Sequence, residues 1–494
     1  MARREARPTF PGSVGRGSCR AKTSILFSFL LLVAAAAEAQ FTCMVNPGNT
    51  TVTITGYTGN GGAVSIPAAT NGMQVTGIGG DAFLDCEDLA SITIPAGVTN
   101  IGVGAFDQCA GLTNVSMTNG VISIGAEAFE YCASLASITI PASVAKIGEQ
   151  AFSGCSALTA ITVDARNAFY SSVAGVLFDK SQTTLIDYPS GRSGNCAIPG
   201  GVRSIGNYAF EYRAGLAGVT IPASVTNIGA YAFQGCPILA GVTIPAGVTR
   251  IGLGAFMNCA GLGSVTIPAS VTDFGQDAFY GCTRLTNAAI ANGVAGIGQG
   301  AFYNCTNLAA IAIPASVADI GDHAFSGCVG AARVIIANGV RSIGHDTFSR
   351  CAGLAAITIP ASVTNLGDRA FYECAGAANL TIADGITSIG IGTFMNCSNL
   401  TSVTIPASVT NIGAAAFEGC ASLTNVTIPA SVAGIGASAF EACGSLAGVY
   451  FKGNAPAVVS SAFPSDNKAT IYYMPGATGW KSVYAKRPTQ TWKP

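Results

Sequence analysis

The chain has 494 residues, 49% of them hydrophobic and only 10% charged, with a formal net charge of −1. Soluble proteins usually carry about 25% charged residues, so this surface must be polar without being ionic. The near-neutral balance excludes a nucleic-acid binder driven by counterion release, and the plentiful Val, Ile, Leu and Phe exclude a disordered chain.

Residues 1–39 read as a secretory signal. Arg3, Arg4, Arg7, Arg16, Arg20 and Lys22 make a basic leader, residues 24–37 an apolar run, and Ala37-Glu38-Ala39 a small-x-small cleavage site. The run is shorter than the about 20 residues of a membrane helix. The pattern predicts export to a secreted or cell-surface location, with no membrane span once the signal is removed. Residues 40–63 are polar and rich in Gly and Thr, which suits an N-terminal cap.

A 23-residue period then takes over. Phe recurs at Phe83, Phe106, Phe129 and Phe152, and again from Phe210 through Phe256 to Phe440, every step being 23 residues. The unit at 89–111 reads LASITIPAGVTNIGVGAFDQCAG. Ile92 and Ile94 alternate with Ser91 and Thr93, the pattern of a half-buried strand. Pro95 ends that strand because it has no N–H for a ladder. Val98 and Ile101 form a second apolar segment, and Gly102 marks a bend or a positive φ. Ala105, Phe106 and Cys109 fall on one face of a short helical turn. One such unit cannot bury its own apolar face, so neighbours must share a core. The expected architecture is a solenoid over 64–448, with short parallel strands and short helical turns, 23 residues per turn.

Fourteen of the 17 Cys residues fall three positions after a repeat Phe, among them Cys86, Cys109, Cys132, Cys155 and Cys259. At the Phe210 unit the place is taken by Arg213. The ladder reads as buried free thiols, which pack as small hydrophobes. Disulfides between turns are the alternative, but parallel side chains disfavour the required twist of about 90°. No metal site is expected, since the C-x2-C pairs of zinc sites are absent.

One interruption, 58 residues from Phe152 to Phe210, contains a predicted hairpin within 164–198. Its strands are read at 176–178 and 184–186, around a Lys180-Ser181-Gln182 turn. Residues 449–494 leave the period and read as a C-terminal cap. Strands are expected at 449–451 and 470–473, and Tyr472, Tyr473, Trp480 and Tyr484 are expected to cover the last turn.

The LxxITIP…V…IG…AF..C strings resemble the BspA-like group of bacterial leucine-rich repeats over about 64–449. The resemblance implies a right-handed curved superhelix of about 16–17 turns, exported or surface-attached, with a role in adhesion and no catalytic site.

The chain carries no HExxH, nucleophile elbow or Walker loop. His323 and His345 are one position out of register, so they read as exposed or capping residues and not as a catalytic pair. Asp273, Asp277, Asp319 and Asp322 are scattered; Asp319 and Asp322 with Asp273 suit an acidic edge, with a solvated face as the default reading. The outward strand position is mostly Thr, from Thr93 to Thr427, which suits an exposed parallel sheet. Its regularity breaks at Ala289, Ala312, Arg333 and Ile335, a candidate contact patch. The sequence thus predicts a non-enzymatic exported repeat protein without cofactor or metal, offering an extended surface to a protein or glycan. The alternative is a self-assembling envelope or matrix protein without a specific ligand.

Overall fold

The structure, a computed structural model, describes residues 40–458, 461–463 and 468–492. The expected signal at 1–39 lies outside them. The chain divides into two compact units, Met1–Gly175 and Val176–Pro494, with the boundary inside the interruption at 164–198. Both are built from the same repeat, and the solenoid runs to about 18 turns at a 23-residue spacing.

Each turn supplies two strands, and most strands pair in parallel with their equivalent one period on, the ladder breaking at some turns, as between Arg333–Ile336 and Ala356–Ile359. In the first unit, Ser137–Ile140 lies beside Ala160–Val163 with Ile138 opposite Ile161. In the second, Ala310–Ile313 lies beside Arg333–Ile336 with Ile311 opposite Val334. The second apolar segment of the repeat gives two-residue strands, such as Asn100–Ile101 against Ser123–Ile124 and Asn411–Ile412 against Gly434–Ile435. The period-2 reading is realised directly, with Ile92 and Ile94 fully buried and Thr93 exposed.

The third side of the repeat differs from expectation. No helix occurs among the described residues. In place of a helical turn around Phe106, Gly104 and Gln108 take φ of 60° and 61°, and residues in the left-handed region cannot continue a right-handed helix. The peptide groups point to the next turn instead. Phe106 N–H donates to the Ala128 carbonyl at 2.8 Å, and Gln108 N–H to the Glu130 carbonyl at 2.8 Å. A third ladder of backbone hydrogen bonds thereby replaces the i→i−4 bonds of a helix. Gly102 also departs from its reading, since its φ is not in the left-handed region. Its role is closeness, because a Cβ there would stand 2.5 Å from the Gly79 carbonyl carbon.

Burial of the Phe column holds each stack together. Phe83, Phe106, Phe129 and Phe152 are stacked with centroids 4.9, 5.1 and 5.9 Å apart. From Phe210 to Phe463 the column is unbroken, with spacings from 4.8 to 5.7 Å and planes within 16°. Two rings outside the repeat extend these columns. Tyr57 stacks on Phe83 at 5.1 Å and Tyr188 on Phe210 at 4.9 Å. Beyond residue 448 the sheet also continues, through Gly448–Phe451 and Thr470–Tyr473 in parallel register. Trp480 stacks on Tyr473 at 5.1 Å and meets Phe451 at 4.8 Å.

The interruption forms its hairpin from Val176–Asp179 and Thr184–Asp187. The Asp179 carboxylate ties the turn, accepting from the Ser181 and Thr183 hydroxyls and from Thr184 N–H at 2.6–2.8 Å.

Truncating a ring inside the column must leave a cavity that a parallel stack cannot collapse to fill. Phe325→Ala is expected to cost about 3–5 kcal/mol in denaturant unfolding. Thr404→Ala, on the exposed strand position, is expected to stay within about 0.5 kcal/mol. Equal costs at the two positions would contradict a ring-centred core.

Candidate functional site

Three features of the second unit gather chemistry: the long-strand face, a trough beside the short strands, and the cysteine column.

On the long-strand face, the outward residues of successive turns form rows. Ala312 lies opposite Ile335 and Ala310 opposite Arg333, while Ala289 lies opposite Thr266 one turn pair earlier. Arg333 and Ile335 are both exposed, Ile335 at 46%. With Ala332, Ala355, Ala356 and Thr358 they line a depression of about 480 Å³. Ala289 and Ala312 do not line it. They extend the same uncharged face beside it.

The trough, about 780 Å³, crosses several turns. Its floor is the Gly column from Gly298 to Gly390, and its walls carry Asp273, Asp319, Asp322, His345 and Asp368. The structure therefore brings together three of the four Asp residues named from sequence, and adds His345 and Asp368. Asp277 is not among the lining residues. These groups are mostly engaged along the stack. His345 N–H donates to Asp322 Oδ1 at 2.7 Å, Asp368 N–H to His345 Nδ1 at 3.2 Å, and Ile391 N–H to Asp368 Oδ1 at 2.7 Å. Asp273 pairs with Arg250 at 3.1 Å. Each side chain satisfies a backbone donor or a charge of the adjacent turn, a structural use of polar groups. The two histidines do not converge: His323 meets the Tyr303 ring edge-on at 6.4 Å, whereas His345 lines the trough.

In the cysteine column every ladder thiol is buried and none is bridged. The column has its own bond pattern. Cys109 donates its S–H to the Phe83 carbonyl at 3.1 Å and Cys132 to that of Phe106 at 3.2 Å. The pattern recurs in the second unit, as from Cys259 to Phe233 at 3.0 Å. Burial pushes Cys305, Cys351 and Cys397 up to about 12. Among the described residues no group of three or more His, Cys, Asp or Glu is placed to hold a metal. Arg213, standing in the thiol's place, repeats its bond: Nε donates to the Tyr188 carbonyl, Nη1 to the Glu211 carbonyl, and Nη2 meets Asp187 Oδ1 at 2.5 Å. Burial raises the Asp187 carboxyl against the pull of that guanidinium.

In the first unit, Asp107 is half-buried, and one of its oxygens has no hydrogen-bond partner. Burial pushes its carboxyl up to about 6, the bond from Gln108 opposes this, and Asp85, Glu127 and Asp81 add to the rise. No sequence motif marked this residue, because its neighbours are brought together only by stacking.

Comparison with known proteins now places the chain. Residues 74–192, 203–332 and 319–447 match the family model described as BspA type leucine rich repeat region (6 copies). The chain belongs to the BspA-type leucine-rich repeat family. Its fold is similar to that of a leucine-rich repeat protein from Bacteroides ovatus, at 25% identity and a TM-score of 0.52, covering 90% of this chain and 100% of that one. A leucine rich cell surface protein from Faecalibacterium prausnitzii is 25% identical, with a TM-score of 0.36 and coverage of 86% and 96%. A leucine rich repeat protein of T. pallidum is also 25% identical, with a TM-score of 0.25 and coverage of 51% and 90%. No curated protein matches the chain. BspA-type repeats make a repeat scaffold suited to protein binding, a class generally non-enzymatic.

Two outcomes follow. The ladder thiols should ignore a thiol reagent in the native protein, because all are buried, and at Cys305, Cys351 and Cys397 burial also suppresses the reactive thiolate. In denaturant without reductant the ladder should titrate fully, and a count near zero would mean bridged turns. For Asp107, the folded value of about 6 lies above the ordinary 3.8. Its contribution to stability is therefore full below about pH 4 and lost as pH rises through about 6. Hydrogen-exchange protection of the turns bearing Asp85 and Asp107, taken relative to the intrinsic base-catalysed rate, should fall across that window, and Asp107→Asn should remove that fall.

Proposed function

We propose that this BspA-type chain is an exported, non-enzymatic scaffold whose long-strand face engages a protein or glycan at a cell surface, with adhesion as the outcome. The observation that carries this reading is a run of three successive turns that lose Thr from a row whose repeats, save for Ser116, otherwise carry Thr from Thr93 to Thr427. Thr repeats along the outward position, then Ala289, Ala312 and Ile335 replace it, with Arg333 beside them. A row that served the sheet alone has no need of that break, since Thr already suits every turn. Departure from repeat symmetry marks where a solenoid surface can recognise something specific. The basic leader and apolar run of 1–39 support export, and among the described residues no helix is long and apolar enough to cross a membrane.

The purified secreted chain is expected to bind saturably to at least one member of a panel of cell surfaces, matrix proteins and polysaccharides. An Arg333→Ala, Ile335→Ala double variant should lose that binding while keeping the same melting curve. Absence of binding across the whole panel would overturn the scaffold reading, and binding untouched by the double variant would move the contact to another face.

A further inference from the structure

Resting on that reading of the long-strand face, we propose that the depression at Arg333 and Ile335 receives an extended protein segment carrying a carboxylate two residues from an aliphatic side chain.

Charge selects the first half of this partner. In the long strands from Gly194–Ala197 to Thr470–Tyr473, Arg333 is the one charged residue. No carboxylate of the described residues pairs with it. Arg250, Arg350 and Arg369 each meet an acid of a neighbouring turn; Arg203, Arg284 and Arg341 are exposed without an ion pair too, but none of them stands on a long strand. Arg333 instead has Ala310 opposite it and Ala356 at the equivalent position one period on. An unpaired guanidinium on an uncharged face is complementary to an anion, and its planar fork fits a carboxylate with two parallel bonds.

Shape and hydrophobicity select the second half. Ile335 projects from the same face two residues along the strand, at about 6.6 Å for a rise of about 3.3 Å per residue. Side chains at i and i+2 of an extended partner have that same separation. Ala356, one period on from Arg333, is too short to fill the space beside it, which leaves about 480 Å³ open. An acidic polysaccharide would satisfy Arg333 and leave Ile335 against water. A peptide segment satisfies both, so the observations favour a protein. Because the ion pair is exposed, it supplies orientation and encounter rate more than affinity. The aliphatic contact must hold the complex.

A random linear peptide library panned on the intact secreted chain tests this, with counter-selection on the Arg333→Ala variant. Polygalacturonate and dextran serve as polysaccharide probes. Enriched peptides are expected to carry Asp or Glu two positions from Leu, Ile, Val or Met. Their Kd should rise about tenfold or more with Arg333→Glu, and again with Ile335→Thr. A charge-swapped peptide bearing Lys should regain binding to Arg333→Glu. Both substitutions sit on exposed positions, and unchanged circular dichroism and melting confirm the fold. Peptides without that spacing, or peptides indifferent to both variants, would overturn the proposal, as would polygalacturonate binding that needs Arg333 and not Ile335. If the chain still binds cell surfaces in those cases, only this assignment falls; if it binds nothing at all, the scaffold reading falls with it.

Discussion

Stacking at a fixed 23-residue step forces every side chain to lie against its own equivalent in the turns before and after. The rest of the structure follows from that constraint. A residue type survives in a column only if it tolerates copies of itself a strand spacing of about 4.8 Å away. Phe does so by offset ring stacking, Thr because a β-branched side chain suits every strand of an exposed sheet, and Gly by letting backbone touch backbone, as Gly102 does on Gly79. Cys does so because its S–H has a carbonyl of the preceding turn to meet, which leaves each thiol both buried and bonded. Charge does not tolerate self-repetition, since like charges directly opposite repel. The low charged fraction of 10% is thus a consequence of the architecture. Where charge occurs it tends to alternate in sign from turn to turn, as in Arg250 with Asp273, Arg350 with Glu373 and Arg369 with Asp346. The acidic turn around Asp107 breaks that rule, and the cost appears as a carboxyl pushed up to about 6.

The interruption shows what the columns require when the repeat is absent. Tyr188 supplies the ring that Phe210 needs on its open side. Arg213 supplies the donor that a thiol would have given, reaching the carbonyl of Tyr188 as Cys259 reaches that of Phe233. A guanidinium buried there would be intolerable unpaired, and Asp187 accompanies it. The exception therefore keeps both the ring column and the thiol's hydrogen bond while changing the chemistry of each.

The same column rule decides what is legible in the sequence. Phe, Cys and the alternating Ile positions were legible because a column repeats its residue type, and identical letters at a fixed step are hard to mistake. The third side of the turn was not. Ala105, Phe106 and Cys109 sit at spacings that suit a helix, and nothing local reveals that Gly104 and Gln108 adopt left-handed φ. Those conformations are held by bonds to a different turn, so they are non-local. Gly102 was read as a backbone-angle glycine when it is a close-contact glycine, for the same reason. Tyr188 was missed because it is 22 and not 23 residues before Phe210, and Phe463 because the letters around it had already left the pattern. Of the trough, the sequence shows only an acidic edge of Asp273, Asp319 and Asp322, since His345 and Asp368 join them through the stack alone.

Self-repetition also sets how such a surface can become specific. A face on which all turns agree offers a partner many equivalent registers, and a ligand that fits one fits the next almost as well. Recognition at one place needs a change that neighbouring turns do not copy. The cheapest such change is on the outward strand position, where no core contact is disturbed. Arg333 and Ile335 are of that kind, because the inward residues of the same strand, Val334 and Ile336, remain buried apolar members of their columns. The strand thus keeps its packing on one side and loses its uniformity on the other. Flanking Ala residues complete the device, since a Thr or Asn beside Arg333 would fill the space and offer it a partner within the chain.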